Sequence, residues 1–251
     1  MTQAQEGFEQ SLVLIKPDAL KNSLTGYVLS QLSEFHTGLR FAAAKIVNVS
    51  RMLAEEHYAE HRGKPFFLPL LDYIVGRAHY PDPEVAWKRR VIAFVFRGTD
   101  AIKIIRDISG PTNPHDAREK RPGCIRALGT VVPLKDSAGK DIGTRIDNLI
   151  HASANVADAE REIKLWFKPN DIPPLMRAFA VETSDGHYYY RDGKLLTKHE
   201  PGSVCLAAPG DVVWSTDLEA LRCLSQGKPA APCSLESVAA KYLINHGAEM
   251  P

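Results

Sequence analysis

The alternation of apolar and polar positions along the chain predicts short strands separated by amphipathic helices. Compact apolar runs at Ser11–Lys16 and Val91–Phe96 are typical of buried strands, and Phe41–Val49 predicts another strand between them. Pro17 ends the first run, so Lys16 is expected at a strand end facing the edge of the sheet. Apolar residues at helical spacing predict a helix from about Ser23 to Phe35.

Further helices are predicted after the second and third strands. Ser50 can cap a helix that runs through His61, and Asp100 can cap one that runs through Ser109. Another apolar helical stretch extends from Lys64 to about Val75. Three segments rich in proline, glycine or charge predict surface loops, namely 77–90, 110–114 and 130–145.

The segment Asn148–Ser153 predicts a strand that ends in a histidine, His151. An amphipathic run follows at Val156–Phe167, and it carries Glu160 and Glu162. The order of elements is strand, helix, strand, helix, strand, helix, loop, strand, helix. This order predicts an α+β fold of the ferredoxin-like type, with a four-stranded antiparallel sheet and the helices after its first and third strands on one face.

Composition is typical of a soluble globular protein. The chain has 251 residues, 44% of them apolar and 24% charged, with a net charge of +1. A net charge this close to zero does not support a role in coating nucleic acid, which usually requires a strongly basic protein. No apolar stretch approaches the roughly 20 residues that span a bilayer, and the first residues lack the pattern of a signal peptide, so we expect a cytoplasmic protein. The four cysteines have no metal-binding spacing; reduced thiols are expected, and a disulfide among the last three stays open.

His151 beside a carboxylate-bearing helix is the first candidate for chemistry. A carboxylate can hold one ring nitrogen of a histidine and leave the other free as a nucleophile, although a histidine at a strand end is more often ordinary packing. The chain has no glycine-rich phosphate loop and no protein-kinase motifs. Side chains would therefore have to build any phosphate site, and Lys16, Arg106, Thr112 and Arg126 are suited to it. The alternative is that these cations lie on solvated faces.

Five separate motifs, in order and in register over residues 11 to about 172, resemble the nucleoside diphosphate kinase family. They are LVLIKPDAL, EEHYAEHRGKPFF, GPTNP, the CIR of Cys124–Arg126, and DNLIHASANVADAEREIKLWF. The resemblance implies that a donor triphosphate phosphorylates His151, which passes the phosphoryl group to an acceptor diphosphate. It also implies that Glu162 holds the other ring nitrogen, that Ser153 lies next to the histidine, and that Tyr58 lies beside the catalytic Lys16.

The same resemblance implies a nucleotide site and its ligands. Its phosphate-holding groups are Lys16, Arg106, Thr112 and Arg126; Phe66 stacks on the base with Leu70 beside it, and Asn148 contacts the ribose hydroxyl. Stacking tolerates any base, so ATP and other nucleoside tri- and diphosphates are the expected partners. Mg²⁺ is the expected cofactor, carried by the nucleotide phosphates with few protein ligands. A dimer-based homo-oligomer is also expected. The net charge and the lack of a long apolar stretch lead us to expect neither a specific nucleic acid nor a membrane as partner.

The chain departs from the family pattern at several places. Ala152 replaces the usual glycine, and Arg126-Ala127-Leu128-Gly129 stands for the family's Arg-Gly-Asp-Phe. Extra residues precede Asn148, and others lie near 77–90. The position of the valine that normally backs the base, near Arg145–Ile146, has no clear counterpart. Two alternatives follow: a slow nucleotide-binding or regulatory module of the same fold, and nucleic-acid binding through the basic loops at 77–90 and 117–126 as a side activity.

The expected domains are a flexible N-terminus (1–10), a kinase-like domain (11–172) and a small α/β extension (173–251) that packs on the core or on a neighbouring subunit. Tyr188–Leu196 carries the Asp-Gly turn of a hairpin, and its three tyrosines are expected to form a core rather than a ligand site. Short strands are predicted at Ser203–Ala208 and Asp211–Trp214. A helix is predicted from Ser234, with Gly247 behind it.

Overall fold

A computed structural model describes residues 8–135 and 138–244. The strands are β1 Phe8–Ile15, β2 Arg40–Val47, β3 Val91–Thr99, β4 Thr130–Lys135, β5 Asp141–Asp147, β6 Ile150–Ala152, β7 Val181–Thr183, β8 Tyr188–Arg191, β9 Lys194–Leu196, β10 Val204–Ala207 and β11 Val212–Trp214. The helices are α1 Pro17–Lys21, α2 Thr25–Gln31, α3 Glu34–Thr37, α4 Arg51–His57, α5 Phe67–Ile74, α6 Ala101–Ser109, α7 Pro114–Lys120, α8 Val156–Trp166, α9 Ser215–Ser225 and α10 Leu235–Ala240. Short 3₁₀ helices lie at Ala59–His61, Pro83–Lys88, Ile125–Leu128, Pro169–Asp171 and Pro174–Met176.

The central sheet has the strand order β2-β3-β1-β6, and every pairing in it is antiparallel. Side chains of β1 alternate between two cores: Leu12 and Leu14 enter the first, which α4, α5 and α8 cover, and Val13 and Ile15 enter the second, which α1, α2 and α6 cover. Because both faces are buried, the strand is a continuous apolar run in the sequence. The α+β ferredoxin-like prediction is confirmed, including the helices after β1 and β3 on one face.

Several element boundaries differ from the prediction near the first two strands. β1 begins at Phe8 rather than Ser11, so the last three residues of the segment expected to be a loose N-terminus lie in the sheet. Pro17 ends the strand but also begins a helix, because a proline at the first helical position loses no hydrogen bond. The helix predicted over Ser23–Phe35 is interrupted, since Ser33 adopts extended backbone and caps α3.

The predicted cap at Asp100 is wrong. This residue lies in the left-handed region with φ of 52°, and its side chain caps nothing. The carboxylate of Glu9 on β1 instead accepts a hydrogen bond from the backbone N–H of Ile102 at 3.1 Å. A residue distant in sequence therefore provides the acceptor for a free backbone N–H at the start of α6, and rules based on local sequence do not detect such a cap.

Two of the predicted loops contain regular structure. Strands β4 and β5 form an antiparallel hairpin over most of 130–145, and its side chains are largely half-buried or exposed, so it lacks the apolar run of a core strand. The segment after Gly110 ends at Asn113, whose side chain caps α7. Within 77–90, a short 3₁₀ helix at Pro83–Lys88 follows an Asp82 cap.

The C-terminal segment forms a three-stranded sheet of order β10-β8-β9, a β7–β11 ribbon and two helices. The predicted Tyr188–Leu196 hairpin and the helix capped by Ser234 are confirmed, while Gly247 lies outside the described residues. Tyr188 and Tyr190 are buried in the core of this segment, as expected, whereas Tyr189 is half-buried and stacks on His187 instead. In the part of the chain that the structure describes, no helix has the length and apolar character to cross a membrane, and the four cysteines are free.

The segment after residue 172 packs against the rest of the chain through buried groups. Trp214 is fully buried in the first core, and its indole N–H donates to the carbonyl of Phe167 at 2.7 Å. The hydroxyls of Ser234 and Ser237, at the start of α10, both donate to the carboxylate of Glu56 on α4. The division into domains stays a prediction, which the unfolding behaviour of the chain can test.

We expect Trp214→Ala to lower the free energy of unfolding by about 3–5 kcal/mol, because it removes a large buried side chain and leaves a cavity. Thermal unfolding followed by circular dichroism would measure the loss. Trp87→Ala is the matched control, since the Trp87 side chain is 62% exposed and should cost little. Equal effects of the two substitutions would contradict the burial of Trp214 between the extension and the domain.

Candidate active site

The site is organised by the sharp connection between β5 and β6. Leu149 has a left-handed backbone with φ of 70°, which is costly for a branched side chain. Two hydrogen bonds hold this conformation: the Leu149 N–H donates to the Asp18 carboxylate, and the Lys16 N–H donates to the Leu149 carbonyl, both at 2.9 Å. The turn therefore fixes Asn148 and His151 next to the end of β1.

The pairing of β6 with β1 determines which way His151 points. Leu14 is opposite His151, and Ile150 and Ala152 enter the second core. Because side chains alternate along a strand, the imidazole lies on the face that α4 and α8 cover. His151 Nε2 lies 2.9 Å from a carboxylate oxygen of Glu162 on α8.

A chain of hydrogen bonds fixes the tautomer of His151, that is, which ring nitrogen carries the proton. The Leu12 N–H donates to the Ser153 hydroxyl at 3.0 Å, and that hydroxyl donates to the same oxygen of Glu162 at 2.7 Å. Burial alone would raise the pKa of the Glu162 carboxyl, but the neighbouring His151 and His57, together with the Ser153 hydroxyl, outweigh burial and lower that pKa to about 2. An ionised carboxylate only accepts hydrogen bonds, so Nε2 of His151 carries a proton. In the neutral ring the lone pair of Nδ1 is then free.

A second histidine, His57 on α4, lies against the first, with the ring centroids 4.5 Å apart. The Trp166 indole N–H donates to His57 Nδ1 at 3.2 Å, so the proton of the neutral ring lies on Nε2. Burial holds the pKa of His57 well below its usual value, with a further contribution from His151, and Nε2 is buried without a partner among the described residues.

His57, His151 and Glu162 also form a possible metal cluster, with ligand atoms within 4.8 Å of one another. A metal ligand requires an unprotonated nitrogen, however, and the Trp166 bond places the proton on the only nitrogen of His57 that is not already hydrogen-bonded. This nitrogen-rich set also differs from the oxygen ligands that Mg²⁺ prefers. The cluster is therefore better suited to hydrogen bonding than to holding a resident ion.

Lys16 lies at the end of β1, as expected, and is buried. Its Nζ donates to the side-chain oxygen of Asn148 at 2.6 Å. The side-chain nitrogen Nδ2 of Asn148 in turn donates to the carbonyl of Thr112 at 2.9 Å. The ammonium also lies 5.0 Å from the ring centroid of Tyr73, whose hydroxyl accepts from the Asn148 N–H. Burial lowers the pKa of Lys16 to about 7, an effect that Asp18 partly offsets.

Two guanidinium groups lie close to each other beside this cluster. Arg126 is buried and donates to the carbonyl of Gly110 at 2.8 Å. Burial and, after it, the charge of the exposed Arg106 lower its pKa to about 10. Gly110 has φ of +80°, and a Cβ there would come within 2.1 Å of the Cys124 sulfur, so only glycine fits. An anion between the guanidiniums would relieve their repulsion.

Aromatic rings form the outer part of the site. Tyr58 is buried and stacks on His61, with centroids 6.1 Å apart, and His61 contacts Phe66 edge-on at 5.5 Å. The Phe66 side chain is 48% exposed, so a flat ligand can reach its ring. Leu70 is half-buried on α5 and packs against the first core.

Contacts or mutual electrostatic effects link most of the residues singled out from the sequence, although they come from distant segments. These residues are Lys16, Tyr58, Arg106, Thr112, Arg126, Asn148, His151, Ser153 and Glu162. Sequence reasoning missed Asp18, His57 and Tyr73. Each lies in or near a quoted motif, but its role depends on the folded chain: Asp18 holds a strained turn, His57 meets a tryptophan from α8, and Tyr73 meets Lys16.

Comparisons with known proteins agree with this architecture. The family model for nucleoside diphosphate kinase matches residues 9–172. A nucleoside diphosphate kinase of Pyrococcus furiosus is 38% identical over 186 residues, which is 74% of this chain and 95% of that protein. One from Thermococcus kodakarensis is 38% identical over 169 residues, covering 67% of this chain and 82% of that protein.

Solved structures give the same result. The Aquifex aeolicus nucleoside diphosphate kinase aligns with a TM-score of 0.52 at 30% identity, covering 66% of this chain and 99% of that chain. The enzyme of Borrelia burgdorferi, solved as a transition state mimic with vanadate and ADP, aligns with a TM-score of 0.51 at 31% identity, covering 68% of this chain and 94% of that chain.

The ferredoxin-like sheet, the histidine–glutamate pair and these relatives together identify a phosphotransferase that acts on nucleotides. The chain belongs to the nucleoside diphosphate kinase family. Its enzymatic activity is the transfer of a phosphate from a nucleoside triphosphate to a nucleoside diphosphate.

Proposed function

We propose that the transfer follows a ping-pong route through phosphorylated His151. The observation that carries this proposal is the bond from His151 Nε2 to the ionised Glu162, which leaves the lone pair of Nδ1 available. Nδ1 attacks the γ-phosphorus, the bond from phosphorus to the bridging oxygen breaks, and its electron pair leaves with the diphosphate. A second diphosphate then attacks the phosphorus through a terminal oxygen, and the electron pair of the P–N bond returns to Nδ1.

Glu162 and Ser153 are proposed to act on the histidine rather than on the nucleotide. The ring gains positive character while Nδ1 carries the phosphoryl group, and the Glu162 carboxylate 2.9 Å from Nε2 offsets that charge. The Ser153 hydroxyl, fixed by the Leu12 N–H, orients the carboxylate. This pair needs no further proton to start the reaction.

The nucleotide is proposed to lie between the cations and the aromatic rings. Lys16, Arg106, Arg126 and Thr112 would hold the phosphates, because phosphoryl transfer depends chiefly on positioning and on neutralising the oxygens. Phe66, with Leu70 beside it, would stack on the base, Tyr58 would support Lys16, and Asn148 would contact a ribose hydroxyl. Stacking favours acceptance of several bases over strict selectivity.

We propose Mg²⁺ as the cofactor, bound mainly through the phosphate oxygens of the nucleotide. The donor set fits this arrangement, since the groups that surround the phosphate region are cations and amides rather than a cluster of free carboxylates. When bound, the ion would neutralise phosphate charge. The side chains of Lys16, Arg106 and Arg126 would orient the same phosphates from the protein side.

A labelling experiment tests the ping-pong proposal. Purified protein incubated with γ-labelled ATP and Mg²⁺ should acquire a label that is stable to base and labile to acid, as expected of a phosphohistidine. Added GDP should discharge it and yield labelled GTP. Transfer from ATP to GDP without a labelled protein would overturn the covalent route, and bound nucleotide without label or transfer would instead favour a regulatory binding module.

We further propose a cytoplasmic homo-oligomer. Four free cysteines suit a reducing compartment, which subcellular fractionation would test. The sheet ends at strand β2, and large apolar side chains such as Phe35 and Leu175 are more than 90% exposed in the single chain (102% and 93%). Sedimentation equilibrium should give a mass that is a multiple of 27.7 kDa.

A further inference from the structure

Two segments that interrupt the resemblance to the family, 77–90 and the β4–β5 hairpin, meet at one buried residue, Asp147. We propose that His79 and Asp147 are positioning residues that hold Asn148 against the ribose and Lys16. This inference rests on the ribose contact proposed for Asn148. It assigns a role in substrate binding to the two added segments.

The contact between the segments is a buried ion network. His79 Nε2, from the first segment, lies 2.9 Å from Oδ2 of Asp147, and the two residues are only 6% and 7% exposed. Arg145, on β5, forks onto the same carboxylate with bonds of 2.6 and 2.9 Å. Burial alone would raise the pKa of Asp147, but the hydrogen bonds from His79 and Arg145 lower it to about 2. The carboxylate is thus ionised at neutral pH and accepts hydrogen bonds from both neighbours.

The network continues directly into the nucleotide site. Asn148 follows Asp147 in the chain, and its N–H donates to the hydroxyl of Tyr73 at 3.3 Å. The Tyr73 ring contacts His79 on one side, with centroids 5.4 Å apart, and Lys16 on another, with Nζ at 5.0 Å. A shift of Asp147 or His79 would therefore displace the side-chain amide of Asn148, whose oxygen accepts the hydrogen bond from Lys16.

The backbone at Asp147 has little freedom to adjust. Asp147 pairs with Thr130 at the base of the hairpin, and a Cβ on the preceding Gly129 would lie 2.4 Å from the Asp147 carbonyl oxygen. The carbonyl of His79 also accepts from Lys21 Nζ at 3.2 Å, which ties the first segment to α1. Both segments are thus anchored on either side of Asp147, as a positioning device requires.

The test compares the affinities of the protein for GDP and for 2′,3′-dideoxy-GDP, which lacks the ribose hydroxyls. We expect wild-type protein to prefer GDP, and we expect His79→Ala and Asp147→Ala to reduce that preference by roughly three- to tenfold, the worth of one hydrogen bond. His79→Gln should restore most of it, because its amide nitrogen can replace Nε2. Dissociation constants are measured by titration calorimetry on the full chain.

The matched control is Asp171→Asn, because Asp171 also pairs with a cation, Lys45, but contacts no residue of the site. This control should leave the preference unchanged. If the alanine variants weaken both nucleotides equally, or if glutamine fails to rescue, then the network is only structural and the proposal is wrong. If wild-type protein acquires no phosphohistidine label, the proposed function is contradicted instead. Failure of the positioning role and failure of the proposed function can therefore be distinguished.

Discussion

His151→Ala should abolish the transfer of phosphate from ATP to GDP, with kcat falling by at least about 10⁴-fold. Nδ1 of His151 is the only nucleophile in the proposed route, and an alanine offers no atom to carry the phosphoryl group. The variant should also acquire no acid-labile label. Its affinity for ADP should stay close to that of wild type, because Lys16, Arg126 and Asn148 bind one another or the backbone and do not depend on the imidazole.

The control for this variant is His36→Ala, which removes an exposed histidine on α3 that is not one of the site residues. That variant should keep wild-type turnover and labelling. Folding of His151→Ala is checked by its melting temperature, since the substitution leaves the buried Glu162 without one of its partners. Turnover near the wild-type rate in folded His151→Ala would refute the phosphohistidine.

The sheet could be predicted from the sequence because its strands are covered on both faces. Val91–Phe96 and Leu12–Ile15 are apolar without interruption, which is the pattern of a central strand. The β4–β5 hairpin has no such pattern, since the residues of β4 are half-buried or exposed and only Asp147 of the described β5 side chains is buried. Its sequence therefore resembles a polar loop. The cap at Asp100 failed for another reason: the group that replaces it, Glu9, is close only after β1 pairs with β3.

In the site, too, residue identities could be predicted from local motifs, whereas contacts between residues distant in sequence could not. His151, Glu162 and Lys16 lie in motifs that a resemblance can align, so their identities were accessible. The protonation of His57 depends on Trp166, which is 109 residues away, and the cation–π contact of Lys16 depends on Tyr73. The extra segments could be detected as interruptions, but their meeting at Asp147 required the three-dimensional structure.

The second large effect concerns Lys16, whose substitution by methionine should lower kcat/KM by about 10²–10³-fold, the usual loss for one donor aimed at developing negative charge. Burial lowers the pKa of Lys16 from 10.5 to about 7, so much of the free enzyme is uncharged at this position above that pH. Nucleotide phosphates favour the charged form and should raise that pKa. Binding of ADP at pH 8 should therefore take up protons, since most of the free lysine is uncharged there and the phosphates favour its charged form.

The same lowered pKa has the opposite consequence for folding, which releases a proton from Lys16 where ADP binding takes one up. Between pH 7 and 10.5 the unfolded chain binds more protons at Lys16 than the folded chain, so this residue makes the free energy of unfolding rise with pH across that window. Lys45→Met is the matched control, because burial also lowers the pKa of Lys45, partly offset by Asp171, outside the site. Calorimetry of ADP binding in buffers of different ionisation enthalpy should find the proton uptake in wild type and in Lys45→Met, and lose it in Lys16→Met. If the uptake persists in Lys16→Met, then another group, such as His57, takes the proton, and the assignment to Lys16 is wrong.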